Sequence, residues 1–381
     1  MLEPVFDAVI ILAFSTPFLL SSQGLLSSSI SFVSKDGDTS IFAVASVSLE
    51  AEGDGLILVA ESVQSFANVN ENKKLKLAVV GCGGRGSGAV VQALNADDNV
   101  ELISMADAFR DRIDSSLKGI HDHFGDSRKI KVKEKNIFTG FDSYKKAIDL
   151  CDVVILTTPP GFRPLHFEYA VNNGKHVFME KPIATDASGV RRVLESAKKA
   201  KENKLNVVVG LQRHYQDKYL NIYDKVVSDE IGKIVSGQVY WNDGGVWVNN
   251  RKPGQTEIEY QMKNWYYFTW ICGDHILEQH IHNIDVANWF IGEYPTHAQG
   301  MGGREVRNGK EHGQIFDHHF VEFHYPGGAV ISSQCRHQKG TESRVDEVFQ
   351  GSNGSVILLS LIHISEPTRR YAISYAVFCL K

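Results

Sequence analysis

The sequence predicts an α/β protein in which a doubly wound parallel sheet is followed by an α+β unit with an open, largely antiparallel sheet. Three observations predict it. The apolar run Leu75–Val80 ends in the glycine-rich string GCGGRG, after which Ala89, Val90, Ala93 and Leu94 recur at helical spacing. Further apolar runs, Val100–Ala106, Val153–Leu156, His176–Met179 and Val207–Gly210, alternate with helical stretches such as Pro164–Asn172 and Ser188–Lys201. Beyond them, Gly232–Trp241, Gln314–His324 and Ala329–Cys335 alternate apolar and polar residues as half-buried strands do, with a turn at Pro326, Gly327 and Gly328 between the last two. The chain of 381 residues has room for two such units, and the periodicities place them at residues 74–212 and 213–358.

Composition narrows the function classes. Apolar residues make up 43% and charged residues 22% of the chain, as in an ordinary folded protein rather than a disordered or fibrous one. A formal net charge of -5 offers no basic field for a phosphate backbone, so nucleic acid is excluded as an expected partner. The five cysteines, Cys82, Cys151, Cys272, Cys335 and Cys379, form no CxxC pair and no disulfide framework, which suits a reducing compartment.

The two ends read differently from the body. Residues 1–73 show no sustained period, and their apolar runs, Val9–Phe14 and Pro17–Leu20, are broken by Ser, Thr and Pro. Glu3 and Asp7 stand where a secretory signal needs Lys or Arg, so the expectation is a leader of no defined structure and a cytoplasmic protein. A periplasmic protein is the alternative if Gly55–Ala60 ends a damaged export signal before Asn68. After Leu358, the strings LSLIHISEPTR (Leu359–Arg369) and ISYAVFCL (Ile373–Leu380) resemble translated sequencing adapter, so residues 359–381 are expected to contribute nothing to the fold or function.

The glycine-rich turn carries the first functional expectation. Gly81 permits a tight turn, Gly83 and Gly84 let backbone approach a diphosphate, and Gly86 lets the helix pack on the strand, with Arg85 between them. The helix N-terminus presents free N–H groups to an anion. Asp107 closes the next strand, where a carboxylate meets ribose hydroxyls and favours NAD over NADP; a helix cap is its alternative reading. Arg110 and Arg112 just beyond keep NADP open as the second cofactor.

Together with TTPP at Thr157, followed by His166, with EKP at Glu180, and with the His-rich stretch GDHILEQHIHNID from Gly273, these residues resemble the Gfo/Idh/MocA oxidoreductases over roughly Lys74–Leu358. The resemblance implies a Rossmann domain that binds NAD(P) through Gly81, Gly83, Gly84, Arg85, Gly86, Asp107, Thr157, Pro159, His166, Glu180 and Lys181. It implies that Lys181 polarises a substrate hydroxyl and that His282 is the general base, with Glu278 orienting it and Gln212, Arg213 and Asp285 near the substrate. It further implies hydride transfer with a sugar, polyol or cyclitol, no membrane partner, and a homo-oligomer formed through the C-terminal sheet. Helical spacing would put Glu278 and His282 on one face, a turn apart. Glu278 stands where the family usually has Asp, and His280 where it usually has Gly, so both are expected to alter the pocket.

Three other readings stand beside this one. An NAD-dependent glycosidase would use transient oxidation, and a cofactor-binding sensor would lack catalysis. A metal held by His275, Glu278, His280 and His282 matches no zincin spacing, and none was assigned. The aromatic stretch of Trp247, Trp265, Tyr266, Tyr267 and Trp270 is expected to be half core and half sugar platform.

Overall fold

The computed structural model describes residues 74–125 and 128–359, together with the backbone of short strands between 32 and 65 and of Ala376–Leu380. The first sheet contains β1 (Leu75–Val80), β2 (Val100–Asp107), β3 (Ile137–Thr139), β4 (Val153–Leu156), β5 (His176–Met179) and β6 (Val207–Val209). All five pairings are parallel, in the spatial order β6-β5-β4-β1-β2-β3. The chain turns from one half of the sheet to the other between β1 and β4. In such sheets the ligand crevice lies at the strand carboxyl ends beside that switch point, and both GCGGRG and TTPP emerge there.

Helices cover both faces because the strands are apolar on both. On one side α1 (Gly84–Ala96) and α2 (Arg110–Phe124) bury Val90, Leu94, Ile113 and Ile120 against Leu77, Val79 and Leu102. On the other, α3 (Ser143–Asp149), α4 (Arg163–Asn172) and α5 (Ala187–Glu202) bury Ile148, Phe167 and Val193 against Val80, Val154 and Val177. Each fully buried aliphatic side chain contributes roughly 1.5–3 kcal/mol. The start of α5 is fixed by Asp186, whose carboxylate accepts the Gly189 N–H at 2.7 Å.

The second sheet follows α6 (Asp217–Val227) and contains β7 (Ile234–Asp243), β8 (His297–Gly303), β9 (His318–His324), β10 (Val330–His337), β11 (Arg344–Gly351) and β12 (Gly354–Leu359). Its order is β8-β9-β10-β7-β11-β12, antiparallel except for the parallel pair β7/β10. Between β7 and β8 run α7 (Glu257–Lys263), α8 (Thr269–Cys272), α9 (His275–Glu278) and α10 (Ile281–Ile291). Val286, Ala287 and Phe290 of α10 and Tyr219 and Ile222 of α6 pack on Val239, Ile331 and Phe349 of the sheet. Of the aromatic stretch, Tyr266 and Tyr267 are core while Trp247 and Trp270 are exposed, the division expected from the sequence.

Three features depart from the sequence reading. The His-rich stretch is not one helix: α9 and α10 are separated at Gln279 and His280, where the His280 N–H bonds back five residues to His275 O. That extra residue rotates His282 away from the position that regular spacing gives it relative to Glu278. In the leader, Ala43–Glu52 and Gly55–Ser65 form an antiparallel hairpin. Its register pairs Leu49 with Leu58 and Glu52 with Gly55, and it takes up the Gly55–Ala60 run expected as the end of an export signal. At the other end Ala376–Leu380 pairs with Gly354–Leu358 at the sheet edge, where an apolar β-forming segment needs only backbone to join. The apolar runs before residue 21 and the adapter-like residues 360–375 lie outside the described residues. No helix among the described residues is long and apolar enough to cross a membrane.

Candidate active site

Glycine is required at two points of the turn after β1. Gly81 has φ +96°, and a Cβ there would meet Thr158 N at 2.5 Å and Thr157 C at 2.6 Å. A Cβ on Gly86 would lie 2.1 Å from Gly81 O and 2.7 Å from Thr157 Oγ1. Turn, helix and the β4 end are thus packed backbone to backbone, and the Thr157 hydroxyl donates to Gly81 O at 2.6 Å. At Gly83 and Gly84, by contrast, a Cβ would meet nothing within 4 Å. The first turn of α1 has no acidic residue and no side-chain cap, so no side chain of the helix itself occupies its amides. A dinucleotide diphosphate fits this cradle.

Around it the remaining residues expected at the cofactor take up distinct positions. Asp107 Oδ2 accepts the Cys82 N–H at 2.7 Å and Oδ1 the Phe109 N–H at 3.0 Å, so the carboxylate braces the glycine turn and caps the following segment at once. Burial raises its pKa, against the pull of those two amides. Arg85 Nε donates to Glu180 Oε1 at 2.6 Å, tying the start of α1 to the end of β5. Pro159 leads into the short turn Pro160–Phe162 that opens α4. His166 lines the cleft beside Asp107 and Thr158. It is buried, stacked on Tyr144 with centroids 4.2 Å apart, and its Nδ1 lies 3.2 Å from Thr158 Oγ1. Burial, then the Arg163 charge, pushes its pKa down to about 3. The neutral ring therefore fixes Thr158 beside a narrow cleft lined by Val80, Asp107, Phe141, Thr158, Phe162 and Met262.

Two of the candidate catalytic residues, Lys181 and Glu278, meet. Lys181, directly beyond β5, donates from Nζ to Glu278 Oε1 at 3.0 Å and to the Glu278 carbonyl at the end of α9. Both side chains are nearly enclosed, and burial raises the Glu278 pKa while Lys181 opposes the rise. His282 is buried at the start of α10, its ring stacked on Trp241 with centroids 6.0 Å apart, and its Nδ1 has no hydrogen-bond partner in the protein. Its pKa lies well below the ordinary 6.5, first through burial and then through the Lys181 charge, with Arg213 adding to it. Burial and the Lys181 charge together favour the neutral imidazole at His282.

Other expected residues fall elsewhere. Arg213 does not face a substrate: it is 1% exposed and ion-paired with Glu347, which is fully buried and also accepts from Tyr219 and Asn283. The strand-end position suggested a cleft, but the guanidinium turns into the second sheet. Gln212 beside it is half-buried. Asp285 is engaged by His214, Oδ2 to Nε2 at 2.7 Å, in a pair backed by Trp289. His280 does not reshape the pocket; it is buried and bonded through Nε2 to Ser333 Oγ at 2.8 Å. The four residues weighed as a metal set are thereby dispersed among different partners. His275 instead lies beside His319 and Cys335.

One residue that matters escaped sequence reasoning. Arg163, fully enclosed, donates to Pro182 O at 3.0 Å, Leu156 O at 3.1 Å and Thr158 O at 2.6 Å, gathering the ends of β4 and the EKP segment. An arginine opening a helix after Pro-Gly reads as solvated, and only the three carbonyls that converge on it reveal otherwise.

A glycine cradle at the switch point of a doubly wound parallel sheet, followed by a second, mostly antiparallel sheet, defines a dinucleotide-binding fold of Rossmann type. The chain belongs to the GFO/IDH/MocA family. The family's "Oxidoreductase family, NAD-binding Rossmann fold" matches residues 75–209 and its C-terminal domain residues 219–357. An inositol 2-dehydrogenase of Salmonella typhimurium is 28% identical over 224 residues, 58% of this chain, and the match spans 55% of that relative. The inositol 2-dehydrogenase of Rhizobium meliloti is 23% identical over 70% of each chain. Among solved structures, aldose-aldose oxidoreductase from Caulobacter crescentus superposes with a TM-score of 0.60 at 16% identity, over 81% of each chain. The WlbA dehydrogenase of Chromobacterium violaceum, solved with NADH and UDP-GlcNAcA, gives 0.58 at 23% identity over 78% of this chain and 79% of its own. At these identities the structural likeness shows the fold.

Proposed function

We propose that this protein transfers hydride reversibly between NAD and a secondary hydroxyl of a sugar, polyol or cyclitol. The observation that carries the reading is the Lys181–Glu278 pair, which joins the two units at the strand ends four residues before the buried His282. When bound, NAD supplies the hydride acceptor. The Lys181 ammonium hydrogen-bonds the reacting oxygen and stabilises alkoxide character as the carbinol C–H bond breaks. His282 takes the hydroxyl proton, which its unpartnered ring nitrogen and its neutral state allow. Glu278 holds Lys181 in place and, through Oε2, which has no partner of its own, can accept from a second hydroxyl of a polyol. Asp107 favours NAD over NADP, since a 2′-phosphate would meet its carboxylate. A sensor without catalysis has no use for this convergence.

The inositol dehydrogenases named above point to cyclitols as the first substrates to try. Four described cysteines are free and buried, which fits a reducing, cytoplasmic setting. The exposed edge strand β8 offers a surface for a second copy through the C-terminal sheet.

The test is NADH formation from NAD with a panel of inositols, alditols and aldoses. One class of these should reduce the cofactor, and Lys181→Ala and His282→Ala should each lower kcat by about 10²–10³-fold. Variants that turn over like the wild type would overturn the assignment.

A further inference from the structure

We propose that His275, His319 and Cys335 form a site for a single thiophilic transition-metal ion, of which zinc is the representative, clamping α9 onto the second sheet. The residues come from three elements distant in sequence: α9, β9 and β10. Their ligand atoms all lie within 4.8 Å of one another, and Cys335 Sγ is 3.8 Å from His319 Nδ1. Zinc bond lengths put tetrahedral N and S ligands about 3.3–3.6 Å apart, so side-chain rotations of around an ångström close the set.

Two further observations point to a ligand. His275 is completely buried, yet its Nε2 has no hydrogen-bond partner. Its Nδ1 faces Asp274 Oδ1 at 3.1 Å. A histidine whose Nδ1 is oriented by a carboxylate while Nε2 is left free is the arrangement found where imidazole binds a metal. His319 repeats the pattern with its nitrogens exchanged, Nδ1 towards the thiol and Nε2 towards Asp274 Oδ2 at 3.8 Å. Asp274 is fixed for this task by the His275 and Phe316 amides, at 2.6 and 2.8 Å. Two imidazoles and a thiolate suit zinc and its neighbours over magnesium or calcium. His319 is the one ligand with some solvent exposure, so an ion can reach the group, and the Cys335 thiol releases its proton to solvent on ligation.

The consequence falls on the catalytic residues. A four-residue helix has no stability of its own, and α9 ends in Glu278, the partner of Lys181. Cys335 also packs with Trp241, on which His282 stacks. An ion at this site fixes both residues from behind, whatever alcohol the cleft accepts.

Cobalt(II) titration of the chelator-treated full chain tests the proposal. The expected result is one equivalent bound, with a near-ultraviolet thiolate-to-cobalt charge-transfer band that zinc abolishes. Cys335→Ser should lose the band, His275→Ala should weaken cobalt binding at least tenfold, and a variant keeping Cys335 as its only thiol should retain the band. That last variant decides the matter if Cys335→Ser fails to fold. Absence of the band in the wild type, its survival in a folded Cys335→Ser, or its loss when the other four thiols are replaced would overturn the site.

Discussion

Gly83→Ala and Gly81→Ala separate the two jobs of the glycine turn, and their contrast follows from the geometry. At Gly81 a methyl group would lie 2.5–2.9 Å from the backbone of Thr157 and Thr158, on a residue with φ +96°. Backbone strain of roughly 1–3 kcal/mol and overpacking of a further 1–3 kcal/mol give a loss of stability of about 2–6 kcal/mol. At Gly83 the same methyl meets nothing within 4 Å, and φ is -76°, which any residue adopts. Gly83→Ala should therefore change stability by no more than about 0.5 kcal/mol. It should nevertheless keep the helix amides from a diphosphate, and losing one hydrogen bond to a charged oxygen costs about 1.5–3 kcal/mol, or roughly 10–150-fold in Kd. Urea unfolding measures the first quantity, and calorimetric titration with NADH the second. A Gly83→Ala protein that binds NADH as tightly as the wild type would refute the assignment of this turn to the diphosphate.

Further predictions follow from the buried charges. Removing one partner of the Lys181–Glu278 pair strands the other, so Lys181→Met should cost about 3–5 kcal/mol while Lys181→Met/Glu278→Leu recovers most of it; equal losses in single and double variants, by urea unfolding, would contradict a coupled pair. Because His282 must be neutral to act and its pKa sits well below 6.5, activity should persist as pH falls through 6.5 and fail only at more acidic values; a pH–kcat profile with an acid limb near 6.5 would contradict this. Lys181→Met removes the second cause of that depression, so the His282 Cε1–H NMR titration should move up in pH yet stay below 6.5, since burial, the first cause, remains. Arg213→Met should lower stability by about 3–5 kcal/mol through the stranded Glu347, and any protein that folds should keep an unchanged KM, whereas a raised KM would restore Arg213 to the substrate site.

The sequence made the first unit legible because its signals are local. GCGGRG sits between a readable strand and a readable helix, and Thr157, Glu180 and Lys181 follow apolar strands whose carboxyl ends face the crevice in any parallel sheet. Side-chain destinations set by distant elements were not legible. Arg213 and Gln212 share one strand end, yet only the fully buried Glu347, far along the chain, decides that the arginine turns inward. His280 bonds Ser333 on β10, and the helix that spacing alone predicts is interrupted at the same residue. His166 lines the crevice and also holds Thr158, a pairing that appears only once α4 is packed on the sheet. The grouping of His275 with His319 and Cys335 is likewise invisible before β9 and β10 are placed.

Single-turnover formation of NADH from a cyclitol deuterated at the reacting carbon reaches the shared action of Lys181 and His282 most directly. The expected result is a rate slowed by deuterium in the wild type, and in Lys181→Ala and His282→Ala a rate at least 100-fold lower at saturating NAD. Undiminished hydride transfer in either variant would contradict it.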